Sequence, residues 1–213
     1  MRITPTAKPT TFFIPADDLR SAFQCASGTL EGGYGMDGVL IDDDCALVAT
    51  DARVLMTITA PDGAFKGSDC FRDGALKYAI QCDSADKAFK HKPKSGSLWV
   101  YGDIETGLLQ FLVYHGQDGE LERVGVCTFS VSDRQFPNCR HLLNEAICKQ
   151  AGVASMVLNP SLLAKLTKAA DIIEKGGNIG MSTAGDDKPI LVKFGASPRM
   201  IGLIMPVNDK TLE

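Results

Sequence analysis

The chain has 213 residues, of which 45% are hydrophobic, and its formal net charge is −4 at neutral pH. A chain of this length and apolar content can bury a core in one or two domains, which excludes an intrinsically disordered protein. The mild acidity gives no general attraction to nucleic acid, so a nucleic-acid interface would need basic residues gathered on one surface.

The cysteines point to a reducing compartment. There are seven of them, at positions 25, 45, 70, 82, 127, 139 and 148. Their odd number and the lack of any C-x-x-C spacing argue against a disulfide framework and against a zinc site. The first residues lack the apolar segment of a signal peptide, and no run approaches the roughly 18 apolar residues of a membrane span. We therefore expect a soluble protein of the cytoplasm.

Three segments, taken in chain order, repeat one pattern in which an apolar strand runs into a short helix and three strands follow. They are residues 11–28, 76–96 and 154–170 with the strands after each. Anchored on Ile14, Ile80 and Leu158, the segments are separated by 80 − 14 = 66 and 158 − 80 = 78 residues. This spacing favours a weak internal repeat.

Each predicted helix begins with residues that can cap it. These are Asp17 and Asp18 for the first helix, Asp83 or Ser84 for the second, and Asn159 followed by Pro160 for the third. Asp, Ser and Asn side chains accept hydrogen bonds from free backbone N–H groups, and proline suits the first helical position. The three strand-to-helix junctions are therefore predicted to be sharp.

Alternating or continuous apolar runs bounded by turn residues predict three strands after each helix. They are 38–41, 46–50 and 54–60 in the first unit, 98–101, 108–114 and 123–130 in the second, and 178–182, 190–194 and 200–205 in the third. The fold class is therefore α+β, with a repeated β-α-β-β-β unit.

Basic residues recur on these helices. The second carries Lys87, Lys90 and Lys94, the third carries Lys165, Lys168 and Lys175 opposite an apolar face, and the first offers only Arg20. A basic stripe on an amphipathic helix is usually a solvated face, and that interpretation stays open. The recurrence of lysine on the same relative face of two units favours instead a surface that contacts phosphates without reading bases.

Chemical motifs are sparse. The aspartates at 42–44 with Asp51 could suggest a site for a hard cation, but three consecutive aspartates between apolar strands are ordinary turn residues. His91, His115 and His141 are scattered, and no nucleophile pair or phosphate-binding glycine loop is present. We predict no catalytic residue, no metal and no cofactor, and keep a hydrolase that uses the aspartates as an alternative.

Three segments, in order, resemble the signature segments of the bacterial-type DNA polymerase sliding clamp (beta clamp) family. They are LVATDARVL at 47–55, DRQFPNCR at 133–140 and MIGLIMPVN at 200–208. In that family an "ATDG-RL" strand, an "FPDY" connector and a terminal "MPM" strand meet around one surface groove. The resemblance implies a non-enzymatic processivity factor that encircles duplex DNA and tethers a polymerase.

The resemblance also implies a domain plan. Residues 1–146 resemble a complete clamp domain, with half-domains at about 11–70 and 71–143, and residues 147–213 resemble a third half-domain. Helices of such units line the interior of a ring and antiparallel sheets form its outside. Cellular clamp chains carry three complete domains, so this chain resembles a truncated, phage-like version. Four copies would supply the twelve half-domains of a cellular ring, and we predict a homotetramer.

Site residues follow from the same resemblance. The DNA-facing residues would be Arg20, Lys87, Lys90, Lys94, Lys165, Lys168 and Lys175, and the peptide-binding groove would be formed by Thr50, Arg53, Val54, Leu55, Pro137, Leu142, Met205, Pro206 and Val207. The implied partners are duplex DNA without sequence preference and a DNA polymerase that binds through a short peptide motif. A clamp loader is a further candidate for the same groove.

Two departures from the family pattern keep alternatives open. Ala52, Arg53 and Val54 stand where the family usually has Gly, His and Arg, and Val207-Asn208 replaces Met-Arg. These changes weaken the basic rim of the groove, so a partner with a different motif is one alternative. Because the first helix carries little basic charge, a clamp-fold adaptor or decoy that binds replication proteins without encircling DNA is another.

Overall fold

The structure is a computed structural model, and the residues it describes are 11–26, 36–41, 46–59, 78–81, 93, 95–115, 120–132, 134–148, 158–185 and 188–206. Several predictions fall outside these ranges. They are the helix of the second unit with its caps Asp83 and Ser84, the lysines Lys87, Lys90 and Lys94, the aspartates at 42–44, and Val207.

The described residues form twelve strands and three helices. In chain order these are β1 (Thr11–Pro15), α1 (Ala16–Phe23), β2 (Val39–Ile41), β3 (Ala46–Thr50), β4 (Val54–Thr59), β5 (Tyr78–Gln81), β6 (Ser97–Asp103), β7 (Leu108–Tyr114), β8 (Leu121–Thr128), β9 (Ser130–Val131), α2 (Cys139–Cys148), α3 (Pro160–Ile173), β10 (Ile179–Thr183), β11 (Ile190–Phe194) and β12 (Met200–Ile204). None of the helices in this part of the chain is long and apolar enough to cross a membrane.

The strands form two antiparallel sheets. One has four strands in the order β1-β6-β7-β8, and the other has eight in the order β10-β11-β12-β4-β3-β2-β5-β9. The first two units exchange their leading strands, because β1 pairs with β6 of the second unit and β5 pairs with β2 of the first. The third unit joins through β12, which pairs with β4 so that Leu203 lies opposite Leu55.

The predicted α+β class and antiparallel sheets are confirmed, and the strands lie within a few residues of their predicted bounds. The order of one helix followed by three strands is seen after α1 and after α3. The sequence predicts no helix at α2, because its segment resembles only a connector. Helix α2 does not directly follow a predicted strand, so the strand-helix pattern of the three units gives no indication of a helix there.

Side-chain alternation gives the eight-stranded sheet two covered faces. We call the face under α1 and α3 the inner face. It carries Val54, Met56 and Ile58 of β4 in one core with Leu19 and Leu166. The opposite, outer face carries Val48, Leu55, Leu191 and Leu203, packed with residues of α2. The sheet is therefore a shared wall between two hydrophobic clusters.

Helices α1 and α3 lie side by side on the inner face. The hydroxyl of Ser21 donates a hydrogen bond to the carbonyl oxygen of Ala169 at 2.7 Å, and both residues are fully buried. The predicted cap of α3 is confirmed, because the side chain of Asn159 accepts from the backbone N–H of Ser161 at 2.9 Å and Pro160 follows it.

The predicted cap of α1 is wrong. Pro15 occupies the N-cap position and no side chain caps the helix, although Asp17 and Asp18 do lie in its first turn. Asp18 is instead buried and accepts two hydrogen bonds from Arg199, at 2.9 and 3.0 Å. A partner from the third unit outcompetes the local backbone because a guanidinium satisfies both carboxylate oxygens at once.

Candidate functional site

The first and last of the three singled-out segments meet along the pairing of β4 with β12, which we call the seam. The strands are in register from Met200 opposite Ile58 to Ile204 opposite Val54. The backbone contact continues past β12, because the N–H of Met205 donates to the carbonyl oxygen of Arg53 at 2.9 Å. The residues around Arg53 and those around Met205 thus form one continuous edge at the end of the seam.

The turn before β4 is held by its own side chains. The Thr50 hydroxyl donates to the carbonyl oxygen of Val54 at 2.7 Å and accepts from the N–H of Ala52 at 3.1 Å. One carboxylate oxygen of Asp51 accepts from the N–H groups of Arg53 and Val54, at 3.0 and 2.8 Å. Ala52 has a positive φ of 70°, a left-handed conformation that favours glycine. The turn is therefore fixed by hydrogen bonds and keeps some backbone strain.

Asp51 also ties this turn to the inner face, because its second carboxylate oxygen binds the ammonium group of Lys165 on α3. Burial alone would raise the pKa of Asp51, but the hydrogen bonds from Lys165, Val54 and Arg53 outweigh it and the pKa is lowered. The carboxylate is therefore charged at neutral pH and holds α3 to the start of β4.

The connector segment reaches the seam from the outer face. Phe136, Cys139, Leu143 and Ala146 pack in the same cluster as Leu55 and the apolar residues of β3, β11 and β12. Burial raises the pKa of the Cys139 thiol to about 11, so this cysteine is a packing residue at neutral pH. All three singled-out segments therefore contribute to one place on the outer face.

The predicted groove residues differ in how far they are buried. Leu55 lies in the outer cluster, Arg53 is exposed, and Leu142 and Met205 are apolar side chains that stay 40% and 39% exposed. Pro137 and Pro206 are half-buried in their expected segments.

Two of the predicted groove residues, Val54 and Thr50, make their contacts elsewhere. Val54 is buried on the inner face, because it alternates with Leu55 along β4. The buried Thr50 hydroxyl is used inside the turn. Phe136, Leu143 and Leu203 belong to the same outer cluster but were not among the predicted groove residues; for Leu143 the signal was the helical spacing of α2, and for Leu203 the alternation of β12.

The predicted basic residues are less uniform than their spacing suggests. Lys168 is exposed near the middle of α3, whereas Lys165 is half-buried in its ion pair with Asp51. Lys175 does not share their helical face, because α3 ends at Ile173 and Glu174 is extended. Arg20 is half-buried on α1.

The surface of α1 and α3 has mixed charge. Near Arg20 the exposed Asp17 lies on α1, and near Lys168 the exposed Asp171 lies on α3. The basic character expected of this face therefore depends also on Lys87, Lys90 and Lys94, which lie outside the described residues.

Solved structures of DNA polymerase sliding clamps share this architecture. A DNA polymerase sliding clamp from Bacillus subtilis matches with a TM-score of 0.60 at 16% identity, over 98% of this chain and 67% of that one. The chain has the fold of the DNA polymerase sliding clamps. A sliding clamp from Bartonella birtlesii, solved with griselimycin, matches at 0.56 and 16% over 98% and 68%. The beta sliding clamp of C. crescentus matches at 0.55 and 14% over the same shares.

The structural matches confirm the resemblance to sliding clamps that the three sequence segments indicated, whereas the overall sequence gives no match. No protein-family model matches the sequence, and no curated protein sequence matches it. The chain covers about two thirds of the length of each solved clamp, while almost all of its own length is matched.

In the described part of the chain, no residues are arranged as a metal site or as a catalytic nucleophile. No group of three or more His, Cys, Asp or Glu residues converges there. Asp51 is engaged by Lys165, and the aspartates at 42–44 lie outside the described residues. Burial raises the pKa of the Cys25 thiol to about 12, so that thiol stays protonated at neutral pH.

Proposed function

We propose that this chain is a sliding clamp that closes around duplex DNA as a ring and holds a DNA polymerase through a hydrophobic groove. The observation that carries the proposal is the seam, where the segments around Arg53, Phe136 and Met205 meet on one side of a clamp-fold sheet. If the three short motifs resembled the family only by chance, there would be no reason for these distant segments to lie together.

The groove has the chemistry of a site for an extended apolar peptide. In the proposed groove, Leu55 and Leu203 would form the apolar floor beside Phe136, and the exposed Leu142 and Met205 would lie at the rim. The Arg53 side chain is the exposed polar group at the end of the seam. Apolar pockets with a few polar groups at the rim bind short linear motifs by burying alternate side chains.

The inner face supplies the proposed DNA-facing surface. Lys168 and Arg20 on two adjacent helices, joined by Lys175 and by Lys87, Lys90 and Lys94, would contact phosphates without reading sequence. Such contacts allow movement along the duplex. Closure of the ring would keep the bound polymerase at high effective concentration near its primer end.

The proposed domain plan gives the size of the ring. Residues 1–146 form a complete clamp domain and residues 147–213 a third half-domain, so one chain supplies three half-domains. Twelve half-domains in a ring then require 12 / 3 = 4 chains, a homotetramer.

The decisive experiment compares retention on nicked circular DNA and on the same DNA after linearisation. A ring stays with the circle during gel filtration in moderate salt and is lost from the linear form, because topology rather than affinity holds it. Equal loss from both forms would contradict encirclement.

A charge reversal on each face of the sheet tests which face meets DNA. Lys168→Glu lies on α3 at the inner face, while Lys193→Glu lies on β11 between the core-facing Val192 and Phe194 and therefore on the outer face. We expect Lys168→Glu to lower the rate of loading and the retention several-fold at low salt, and Lys193→Glu to leave both unchanged. The reverse ranking would overturn the assigned face.

The groove is tested separately with a library of short apolar peptides. Met205→Lys should weaken capture of the peptides that bind the wild type by tenfold or more, because it places a charge on the apolar rim. Leu108→Lys, an equally exposed apolar position on β7 of the other sheet, is the matched control and should bind normally. Equal capture by both variants would exclude the groove.

The mixed charge on α1 and α3 favours one second candidate, a clamp-fold adaptor that binds replication proteins without encircling DNA. Exposed Asp17 and Asp171 beside Arg20 and Lys168 would reduce phosphate affinity there. A stable monomer or dimer by light scattering, together with peptide capture that depends on Met205, would favour the adaptor over the ring.

A further inference from the structure

Among the described residues, the eight-stranded sheet has two edge strands, β10 and the two-residue β9, and β10 is the longer one. The first strand after α1, β2, is central because it lies between β5 and β3, and β6 of the second unit likewise lies between β1 and β7. Strand β10 pairs with β11 alone. One side of its backbone therefore presents hydrogen-bonding groups with no described neighbour.

The core-facing side chains of β10 are also less buried than those of the matching strand β2. Ile179 lies opposite Phe194 and Met181 opposite Val192, and both opposite residues belong to the inner-face core. Ile179 and Met181 nevertheless remain 39% and 38% exposed. The residues with the same orientation in β2, Val39 and Ile41, are fully buried. Within the described part of the chain, the inner-face core is therefore open beside β10, and no described strand covers it.

The chain between β9 and α3 is too short to hold a further unit that could supply a covering layer. The first unit, from the start of β1 to the end of β4, takes 59 − 11 + 1 = 49 residues. Only 160 − 131 − 1 = 28 residues separate the end of β9 from the start of α3, and ten of them form α2. A complete partner unit cannot fit between them.

The first two units show how such an edge is normally covered. Each unit lends its leading strand to the other, so that β1 covers the edge of β6 and β5 covers the edge of β2. The exchange is reciprocal. Two identical units that paired in this way would be related by a true twofold axis, which is the geometry of a closed, self-complementary dimer.

We infer that the C-terminal unit, made of α3 and β10–β12, pairs with the C-terminal unit of a second copy of this chain across the β10 edge. The two half-domains together form one complete clamp domain and bury Ile179 and Met181 of both copies. This inference rests on the proposed function for its place in the ring, where it names one of the surfaces that join neighbouring chains. Two copies joined this way contain three clamp domains, and two such dimers contain the twelve half-domains of the ring.

The test is a charge placed on the open edge, followed by mass in solution. Met181→Glu puts a carboxylate into the proposed interface, and Ile147→Glu, on α2 with the same 39% exposure as Ile179, is the control. By analytical ultracentrifugation we expect the wild type and Ile147→Glu to sediment as four chains and Met181→Glu as two. Circular dichroism should show all three folded, because both positions are exposed in the single chain.

Hydrogen exchange gives a second measurement that needs no substitution. Amide protection of residues 178–183 in the wild type should fall on dilution, together with the mass, while protection of β11 stays constant. Unchanged mass for Met181→Glu, or protection of 178–183 that does not depend on concentration, would overturn the inference.

The same samples separate this inference from the proposed function. A wild type that associates through β10 but leaves circular and linear DNA equally fast keeps the interface and loses the clamp proposal. A wild type retained only on circular DNA, with an unchanged mass for Met181→Glu, keeps the clamp and loses this interface.

Discussion

The seam and the β10 edge are built from the same kind of unit and differ in what covers them. At the seam, β4 lies between β3 and β12, and the sheet there is covered by α1 and α3 on one face and by α2 on the other. At the edge, β10 has one neighbour among the described strands, and its core-facing Ile179 and Met181 stay partly exposed. The difference shows that the core under a strand is closed where a second unit pairs with the sheet and stays open where no described strand does.

Two ion pairs cross the seam, one at each end. Arg199, just before β12, binds Asp18 of α1 and also donates to the carbonyl oxygen of Thr59 at the end of β4. Lys165 binds Asp51 at the start of β4. Each pair joins the third unit to the first, so the seam resists sliding of one strand along the other.

The largest effect is expected from Arg199→Ala. It leaves the buried carboxylate of Asp18 without its partner at the seam, and removal of one member of a buried pair costs about 3 kcal/mol. Urea denaturation should show this loss, while Arg123→Ala on the exposed face of β8 should change the free energy of unfolding by less than about 0.5 kcal/mol. Similar losses for both variants would show that the seam is not braced by Arg199.

Two glycine substitutions compare the packing of the two regions directly. A Cβ on Gly202 of β12 would lie 2.7 Å from Cδ1 of the fully buried Leu166, whereas nothing lies within 4 Å of a Cβ on Gly180 of β10. Gly202→Ala should therefore destabilise by about 1 to 2 kcal/mol through overpacking, and Gly180→Ala should be neutral or slightly stabilising. Thermal unfolding of the two variants measures the contrast, and equal melting temperatures would contradict it.

Asp51→Asn tests the other end of the seam through pH. The pKa of Asp51 is lowered in the folded chain, so its contribution is present above the unfolded pKa of about 3.9 and is lost as the pH falls through the folded value. The variant should be less stable by about 1 kcal/mol at pH 7 and should lose less stability between pH 5 and pH 2. Glu122→Gln, which alters a more exposed pair with His115, is the control and should leave the pH profile unchanged.

The smallest effect is expected from Ala52→Gly, which sharpens the comparison by relaxing the turn at the end of the seam. Glycine removes the strain of a positive φ, which is about 1 to 2 kcal/mol. Part of this stabilisation is offset because glycine also raises the conformational entropy of the unfolded chain. The net gain should be about 0.5 to 1 kcal/mol in urea denaturation. Destabilisation by glycine would show that the Ala52 methyl makes a packing contact that outweighs the strain.

Local sequence predicted much of the fold. The strands that the structure describes and the Asn159 cap follow from alternation and cap chemistry, which act over a few residues. The partners of Asp18 and Lys165 could not be predicted, because each is more than a hundred residues away in sequence. Lys175 was misplaced for a local reason, since helical spacing was continued past the point where α3 ends.

The candidate site was predicted in part. The three segments were placed at one groove by resemblance, and the contact of Met205 with Arg53 brings two of them together. Val54 lies in the inner-face core and the Thr50 hydroxyl bonds within its own turn, because residues beside each other on a strand point to opposite faces and turn hydroxyls bond to nearby backbone.

The sequence by itself determined the elements, their polarity pattern and the apolar content of each face, because these depend on side chains near in the chain. Only the tertiary structure decided that β1 pairs with a strand of the second unit and β5 with a strand of the first. It also decided that α2 covers the outer face and that β10 lies at an edge. Strand pairing is a competition among many similar apolar edges, and its outcome depends on which long-range contacts can be satisfied together rather than on any one segment.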